Sequence, residues 1–150
     1  SVINVSARFL SCEPTSSACE GRLIVRVEGC TNLKKMDTFN DSDPYVVVKA
    51  AGKTFQTETI QDQANPVWGT EFFFTQRTDS HEVVQFEVMD QNVSGDKIIG
   101  ICNVPVDEAT STASWTVRKQ VQLTDSKGND VKGKHGSSLL DVTLSMFRLD

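Results

Sequence analysis

Oxygen-bearing side chains recur at short spacing in the stretch MDQNVSGDKIIG, residues 89–100. Asp90, Asn92 and Ser94 occupy alternating positions, as in the first half of an EF-hand calcium loop. The last position of such a loop needs a bidentate Glu, and here it holds Ile101. The preceding VVQFEVM alternates like a strand rather than a helix. The stretch is therefore a decayed EF-hand, an ordinary turn, or part of a different oxygen-rich site.

A second group of acidic side chains lies upstream, at Asp37, Asp41 and Asp43. If it meets Asp90 and Asp96, the five carboxylates repel each other unless a cation is present. Ca²⁺ prefers such hard oxygen ligands, and Mg²⁺ uses fewer protein ligands in a rigid octahedron. Neither segment supplies the thiolate and imidazole ligands that zinc prefers. Asp, Asn and Ser are also ordinary turn residues, so turns without a metal remain the alternative.

Short segments of alternating apolar residues run through most of the chain. In LIVRVE, residues 23–28, the side chains of Leu23, Val25 and Val27 share one face, which indicates a strand. AAGK is typical of a hairpin turn, residues 106–114 are predicted to hold a helical turn, and residues 128–138 are predicted as a loop. We predict an all-β fold, an eight-stranded antiparallel Greek-key β-sandwich. The other predicted strands are 45–50, 54–59, 71–75, 83–89, 98–104, 117–123 and 139–147.

Strand parity predicts which connections lie together. If each strand reverses direction, Asp37, Asp41 and Asp43 emerge at the same end as Asp90 and Asp96. The connections predicted at this end are 29–44, 60–70, 90–97 and 124–138. Those predicted at the other end are the AAGK turn, 76–82 and 105–116.

The composition excludes several classes of function. A chain of 150 residues with a net charge of −5 and no Lys/Arg run is predicted to be one domain that binds no nucleic acid. No apolar run approaches transmembrane length. No Ser/His/Asp arrangement or phosphate loop is present, so we expect no enzymatic activity of this domain. Four cysteines, Cys12, Cys19, Cys30 and Cys102, fit no zinc spacing and are predicted to be free thiols in a reducing compartment, with disulfides as the alternative.

Three segments, in order and at fitting distances, resemble the C2 domain, a calcium-dependent lipid-binding β-sandwich. They are MDTFNDSDPYV (36–46), the stretch 57–74 that contains NPVW, and FEVMDQNVSGDKIIG (86–100). The resemblance spans residues 21–147. It implies a C2-like sandwich of the type II strand order, which starts at GRLIV, with residues 1–20 as an extension or extra strand and 21–150 as the C2 domain. VINVSARFL, residues 2–10, suits the other known strand order of the family.

The resemblance also implies a set of calcium ligands on the first and third loops. Asn92 departs from the common pattern, in which an Asp follows at this place, but its side-chain carbonyl can still bind the metal. Asp41 lies at a position where the family varies, and it is expected to add negative charge without binding the metal. One or two Ca²⁺ ions are expected. The implied ligands are the side chains of Asp37, Asp43, Asp90, Asn92 and Asp96 and the main-chain carbonyls of Met36 and Gln91.

Membrane contact is the function that the resemblance implies. Phe39, in the middle of the first loop, is predicted to insert into a bilayer together with Val93, with a loop anchor folded back on the sandwich as the alternative for Phe39. Lys49 and Lys53 flank the AAGK turn, where the family often carries a cationic patch for anionic lipids. The alternative for these two lysines is a solvated strand face.

The predicted function is therefore calcium-dependent targeting to a phospholipid membrane, in signalling or membrane trafficking. The predicted location is the cytoplasm and the cytosolic face of a membrane, with a monomeric domain and a possible protein partner. The rival function is a calcium-independent protein-interaction scaffold of the same fold. Asp37, Asp43, Asp90 and Asp96 favour calcium binding, because a scaffold has no need for clustered like charges.

Overall fold

The strands at 20–31, 44–50, 83–90 and 139–148 alternate buried side chains with more exposed ones, as the period of two predicts. The computed structural model describes residues 20–37 and 39–149. The predicted N-terminal extension lies outside these residues except for Glu20, with which the first strand begins. The elements are β1 (Glu20–Thr31), β2 (Pro44–Ala50), β3 (Lys53–Gln56), β4 (Val67–Arg77), β5 (Val83–Asp90), β6 (Lys97–Pro105), α1 (Asp107–Thr110), β7 (Thr116–Gln122), β8 (Lys132–Gly133), β9 (Gly136–Ser137) and β10 (Leu139–Arg148).

Two four-stranded sheets form the fold, with strand orders β4-β1-β10-β7 and β3-β2-β5-β6. All of their neighbouring strands pair antiparallel, which confirms the predicted sandwich. The last strand, β10, lies between β1 and β7, so the C-terminal segment completes the sheet that β1 begins. The predicted helical turn is α1. Within the described ranges, no helix has the length and apolar character that crossing a bilayer requires.

The core lies between the inner faces of the two sheets. Phe74 and Phe86 are its largest fully buried aromatic side chains, and each contributes roughly 1.5–3 kcal/mol relative to exposure in water. Cys30 and Cys102 are buried in it as free thiols. Further fully buried members are Leu23, Val25 and Val27 of β1, Val46 and Val48 of β2, and Leu140, Val142 and Leu144 of β10.

Residues 128–138, predicted as a loop, instead contain the hairpin β8–β9. Lys132 pairs with Ser137 and Gly133 with Gly136, whose φ of +121° favours glycine. Val131, just before the hairpin, is only 6 % exposed and belongs to the core. The prediction was wrong because Val131 is flanked in the sequence by polar and glycine residues, which give no strand pattern.

The connections gather at the two ends as strand parity predicts. The main-chain N–H of Gln91 donates to the carbonyl oxygen of Asp43, which joins the connections after β5 and β1. At the opposite end, the N–H of Val106 donates to the carbonyl oxygen of Glu82. We refer to residues 32–43 as loop 1, 57–66 as loop 2, 91–96 as loop 3, and to the end of the sandwich that carries them as the loop end.

Candidate functional site

Loops 1 and 3 meet because β2 begins where β5 ends. Pro44 and Asp90 are partners in the β2–β5 register. Asp90 is 1 % exposed, and its Oδ1 accepts a hydrogen bond of 2.8 Å from the main-chain N–H of Asp43. The N–H of Gln91 donates back to the carbonyl oxygen of Asp43 at 2.9 Å. The sheet register therefore holds two of the predicted ligands, Asp43 and Asp90, in direct contact.

Loop 2 adds a carboxylate that the sequence analysis did not single out. The N–H of Asp62 donates to Oδ1 of Asp43 at 2.7 Å, and Oδ1 of Asp62 accepts from the N–H of Asp41 at 2.8 Å. Asp62 has a φ of +51°, a left-handed conformation that Asp tolerates better than most residues. With Asp37, Asp90 and Asp96, loops 1 to 3 and the end of β5 thus carry six aspartates instead of the expected five.

Asn92 connects Asp96, at the end of loop 3, with Asp90, the last residue of β5. Its main-chain N–H donates to Oδ1 of Asp96 at 3.0 Å, and its Nδ2 donates to Oδ2 of Asp90 at 3.2 Å. The N–H of Gly95 donates to the carbonyl oxygen of Asn92, which closes the turn. An Asp at position 92 could not make the Nδ2 contact and would add a negative charge beside Asp90.

Tyr45, the aromatic residue of the DPYV motif, contacts the far end of loop 3. Its hydroxyl group donates to Oδ2 of Asp96. This hydrogen bond, with burial of the ring, raises the pKa of Tyr45 from 10.0 to about 12. The same bond, with the N–H of Asn92, lowers the pKa of Asp96 below its ordinary value. The sequence analysis did not find Tyr45, although its place between Pro44 and the apolar β2 could have indicated a partner at the loop end.

Asp37 and Met36 stand apart from this network. The carboxylate of Asp37 is exposed, and its Oδ1 lies 3.9 Å from Nζ of Lys97. Met36 is partly buried against the core, and its main-chain N–H donates to Oγ of Ser42 at 3.3 Å. In residues 20–37 and 39–149, no three carboxylate, His or Cys side chains converge as a metal cluster. The oxygen ligands at this end nevertheless have the chemistry that a hard divalent cation prefers.

Two apolar side chains extend from the loop end into solvent. Phe39 in loop 1 is 89 % exposed, and Val93 in loop 3 is fully exposed. The other predicted lipid contacts, Lys49 and Lys53, lie at the opposite end of the sandwich beside the β2–β3 turn. Nζ of Lys49 is 3.3 Å from Oε1 of Glu87, while Lys53 is exposed on β3.

The profile of the C2 domain family matches residues 21–124 of the chain. The chain belongs to the C2 domain family. An Arabidopsis thaliana protein named calcium-dependent lipid-binding protein is 31 % identical over 132 residues, which cover 85 % of this chain and 26 % of that protein. This C2 domain therefore spans about a quarter of that relative's length.

Two solved structures share the architecture of this C2 domain. Human GIVD cytosolic phospholipase A2 superposes with a TM-score of 0.74 and 25 % identity, covering 90 % of this chain and 17 % of that one. An isolated C2 domain of plant extended synaptotagmin 1 superposes with a TM-score of 0.73 and 22 % identity, covering 87 % of this chain and 96 % of that one. The second likeness supports the fold, since it covers nearly all of a single C2 domain.

Proposed function

We propose that this C2 domain binds phospholipid membranes in response to calcium and so brings any attached domains to the cytosolic face of a membrane. The observation that carries the proposal is the contact between Asp43 of loop 1 and Asp90, the last residue of β5 before loop 3, at the end where Phe39 and Val93 are exposed. The name of the Arabidopsis relative, calcium-dependent lipid-binding protein, supports the same function.

The loop end offers oxygen ligands from two loops to one or two Ca²⁺ ions. Asp90 and Asp43 are held in place by the β2–β5 register, so little ordering is needed for them to bind the metal. Asp96 and Asn92 would exchange hydrogen bonds for metal contacts. When bound, calcium supplies positive charge and open coordination positions for lipid phosphate oxygens. The ligands proposed are the side chains of Asp37, Asp43, Asp90, Asn92 and Asp96 and the carbonyls of Met36 and Gln91.

At the loop end, calcium binding first reduces the negative charge, and the exposed apolar side chains then contact the bilayer. The six aspartates repel anionic headgroups over roughly 10 Å at ordinary ionic strength. A divalent cation reduces that repulsion, so the exposed side chains of Phe39 and Val93 can approach the bilayer. Burial of their apolar surface then favours the membrane-bound state.

Calcium titration by calorimetry tests the proposal. The parent domain should release or absorb heat on binding and should gain thermal stability at millimolar calcium, because a ligand that binds only the folded state stabilises it. The double variant Asp43→Asn/Asp90→Asn should lose both effects. Asp79→Asn/Asp107→Asn is the matched control, since it removes two carboxylates from the opposite end and should titrate like the parent. A parent domain that shows neither heat nor stabilisation would refute calcium binding.

A calcium-independent protein-interaction scaffold is the second candidate function. One observation favours it: Tyr45, Asn92 and main-chain N–H groups already donate to the carboxylates of Asp90 and Asp96. Such bonds stabilise clustered carboxylates without a cation. In that case the parent and Asp43→Asn/Asp90→Asn should behave alike in calcium, and neither should sediment with liposomes.

A further inference from the structure

Four exposed lysines share the loop end with the acidic loops. Lys34 and Lys35 belong to loop 1, and Lys132 and Lys134 belong to the β8–β9 hairpin. We call these four residues the basic rim. We propose that the basic rim is a second membrane-contact surface, which binds the headgroups of anionic phospholipids beside the acidic loops. The inference rests on the proposed membrane function and assigns it a lipid class.

Asn32 places the hairpin against loop 1. Its Nδ2 donates to the carbonyl oxygen of Gly136 at 2.6 Å, and its Oδ1 accepts from the N–H of His135 at 3.0 Å. A Cβ atom on Gly133 would lie 2.2 Å from the carbonyl oxygen of Asn32, so the two backbones touch there. Lys34 follows Asn32 by two residues, a span of about 7 Å at most. The two pairs of lysines therefore belong to one continuous surface.

Buried neighbours fix the outward direction of these lysines. Leu33 is 3 % exposed, and its N–H donates to the carbonyl oxygen of Ala64. Oγ of Ser42 donates to the carbonyl oxygen of Lys34 at 3.2 Å. On the hairpin side, Val131 is buried immediately before the exposed Lys132. The basic rim therefore rests on anchored backbone, so little backbone ordering is needed at a surface.

The charges of the basic rim are available to a ligand. In the described part of the chain, the ion pairs within 4.0 Å involve other basic residues: Lys49 with Glu87 and Lys97 with Asp37 are two of them. An ammonium group that has no carboxylate partner loses no ion pair when it binds phosphate. Each Lys close to an anionic leaflet strengthens binding about fivefold. By this criterion the basic rim suits a lipid surface better than Lys49 does.

A membrane is the occupant that fits the rest of the loop end. Phe39 and Val93 expose apolar side chains on loops 1 and 3, and Phe39 belongs to the same loop as Lys34 and Lys35. Cations beside exposed apolar side chains are typical of surfaces that lie in the headgroup region of a bilayer. An acidic protein would satisfy the lysines but would supply no apolar layer for the side chains of Phe39 and Val93.

Vesicle binding at saturating calcium tests the basic rim. The variant Lys132→Gln/Lys134→Gln is compared with the parent on vesicles of phosphatidylcholine alone and of phosphatidylcholine mixed with phosphatidylserine. We expect about 5- to 25-fold weaker binding to the mixed vesicles and unchanged binding to the neutral ones. The charge-matched control Arg22→Gln/Lys119→Gln removes one cation near the start of β1 and one beside α1, away from the loop end, and should change either affinity less than twofold. Lys132→Arg/Lys134→Arg keeps the charges and should bind like the parent.

The outcomes separate this inference from the proposed function. If the parent binds mixed vesicles in calcium and Lys132→Gln/Lys134→Gln binds them equally well, the basic rim is refuted and the calcium-dependent function stands. Equal weakening by both double variants would also refute it, since total charge alone would explain the loss. If the parent binds no vesicle, both proposals fail. A variant that binds mixed vesicles normally but loses affinity for a polyglutamate peptide would assign the surface to an acidic protein instead.

Discussion

The main-chain N–H of Asp43 donates to Oδ1 of Asp90 at 2.8 Å and joins residues 47 positions apart in the sequence. The carboxylate of Asp90 is almost fully buried, and its Oδ2 accepts from Nδ2 of Asn92. Asp90 thus fixes the start of β2 to loop 3 in addition to its proposed role as a calcium ligand. A substitution at this position changes both the structure of the loops and the charge of the site.

Asp90→Ala should destabilise the domain even without calcium. Its removal leaves the N–H of Asp43 and Nδ2 of Asn92 without their acceptor, which costs about 1–3 kcal/mol when such groups are buried. Asp90→Asn keeps an oxygen in place and should cost less. Urea denaturation in a calcium chelator measures both. Equal free energies of unfolding for the parent and Asp90→Ala would show that the Asp43–Asp90 bond contributes nothing.

Phe39→Ala should weaken calcium-dependent vesicle binding without changing calcium affinity in the absence of lipid. Phe39 is 89 % exposed, and full burial of a Phe side chain stabilises by roughly 1.5–3 kcal/mol, so a loss of about tenfold or more is expected. Phe147→Ala is the matched control. Phe147 is 53 % exposed, and its partner in the β1–β10 register is Arg22, near the start of β1 and away from the loop end. Similar losses for both variants would exclude specific insertion of Phe39.

The two-residue period was enough to predict the sandwich, and strand parity was enough to bring Asp43 and Asp90 to one end. Apolar and polar residues alternate in the sequence because each core strand has one buried face. Asp62 and Tyr45 could not be predicted as neighbours of these residues. Their contacts depend on the path of loop 2 and on which side chain of β2 reaches Asp96, and neither leaves a periodic signal.

The hairpin β8–β9 was missed for a related reason. Each of its strands has two residues, too few for an alternating pattern to be recognised. Its position depends on hydrogen bonds to Asn32, which lies more than a hundred residues away in the chain. The basic rim therefore became visible only when the contact between the hairpin and loop 1 was known.

Glu28 should make the stability of the domain depend on pH in acid. Burial alone raises the pKa of a carboxyl group, but hydrogen bonds from Thr143 at 2.7 Å and Arg26 at 2.8 Å outweigh it and lower the pKa of Glu28 below 4.5. A carboxyl whose pKa is depressed in the folded state contributes stability above its unfolded pKa and loses it as the pH falls through the folded value. Its contribution is therefore complete at neutral pH.

The parent should accordingly be more stable than Glu28→Gln at neutral pH, by about 1–2 kcal/mol. The difference should close as the pH falls below 4.5. Urea denaturation at several pH values measures it. Glu71→Gln is the control, because Glu71 is exposed and its 3.8 Å ion pair with Arg26 contributes little. A gap between the parent and Glu28→Gln that stays constant down to strong acid would contradict the assignment.

Asn32→Ala should release the β8–β9 hairpin from loop 1. The variant loses the side-chain bonds to Gly136 and His135, and Ala tolerates the φ of +56° at this position poorly. Together these effects should lower the free energy of unfolding by about 2–4 kcal/mol. The N–H of His135 should also exchange with solvent deuterium faster than in the parent, because its acceptor is Oδ1 of Asn32.

Asn32→Gly separates the two causes, since Gly adopts positive φ without strain but makes neither side-chain bond. It should recover about 1 kcal/mol of the loss while His135 still exchanges quickly. Asn103→Ala, an exposed substitution on β6, should change stability by less than about 0.5 kcal/mol. If Asn32→Ala costs no more than Asn103→Ala, the hairpin is held by other contacts. If other contacts hold the hairpin, Asn32→Gly should bind vesicles as tightly as the parent does. If the hairpin is released, Lys132 and Lys134 move away from loop 1, and binding to vesicles that contain phosphatidylserine should weaken.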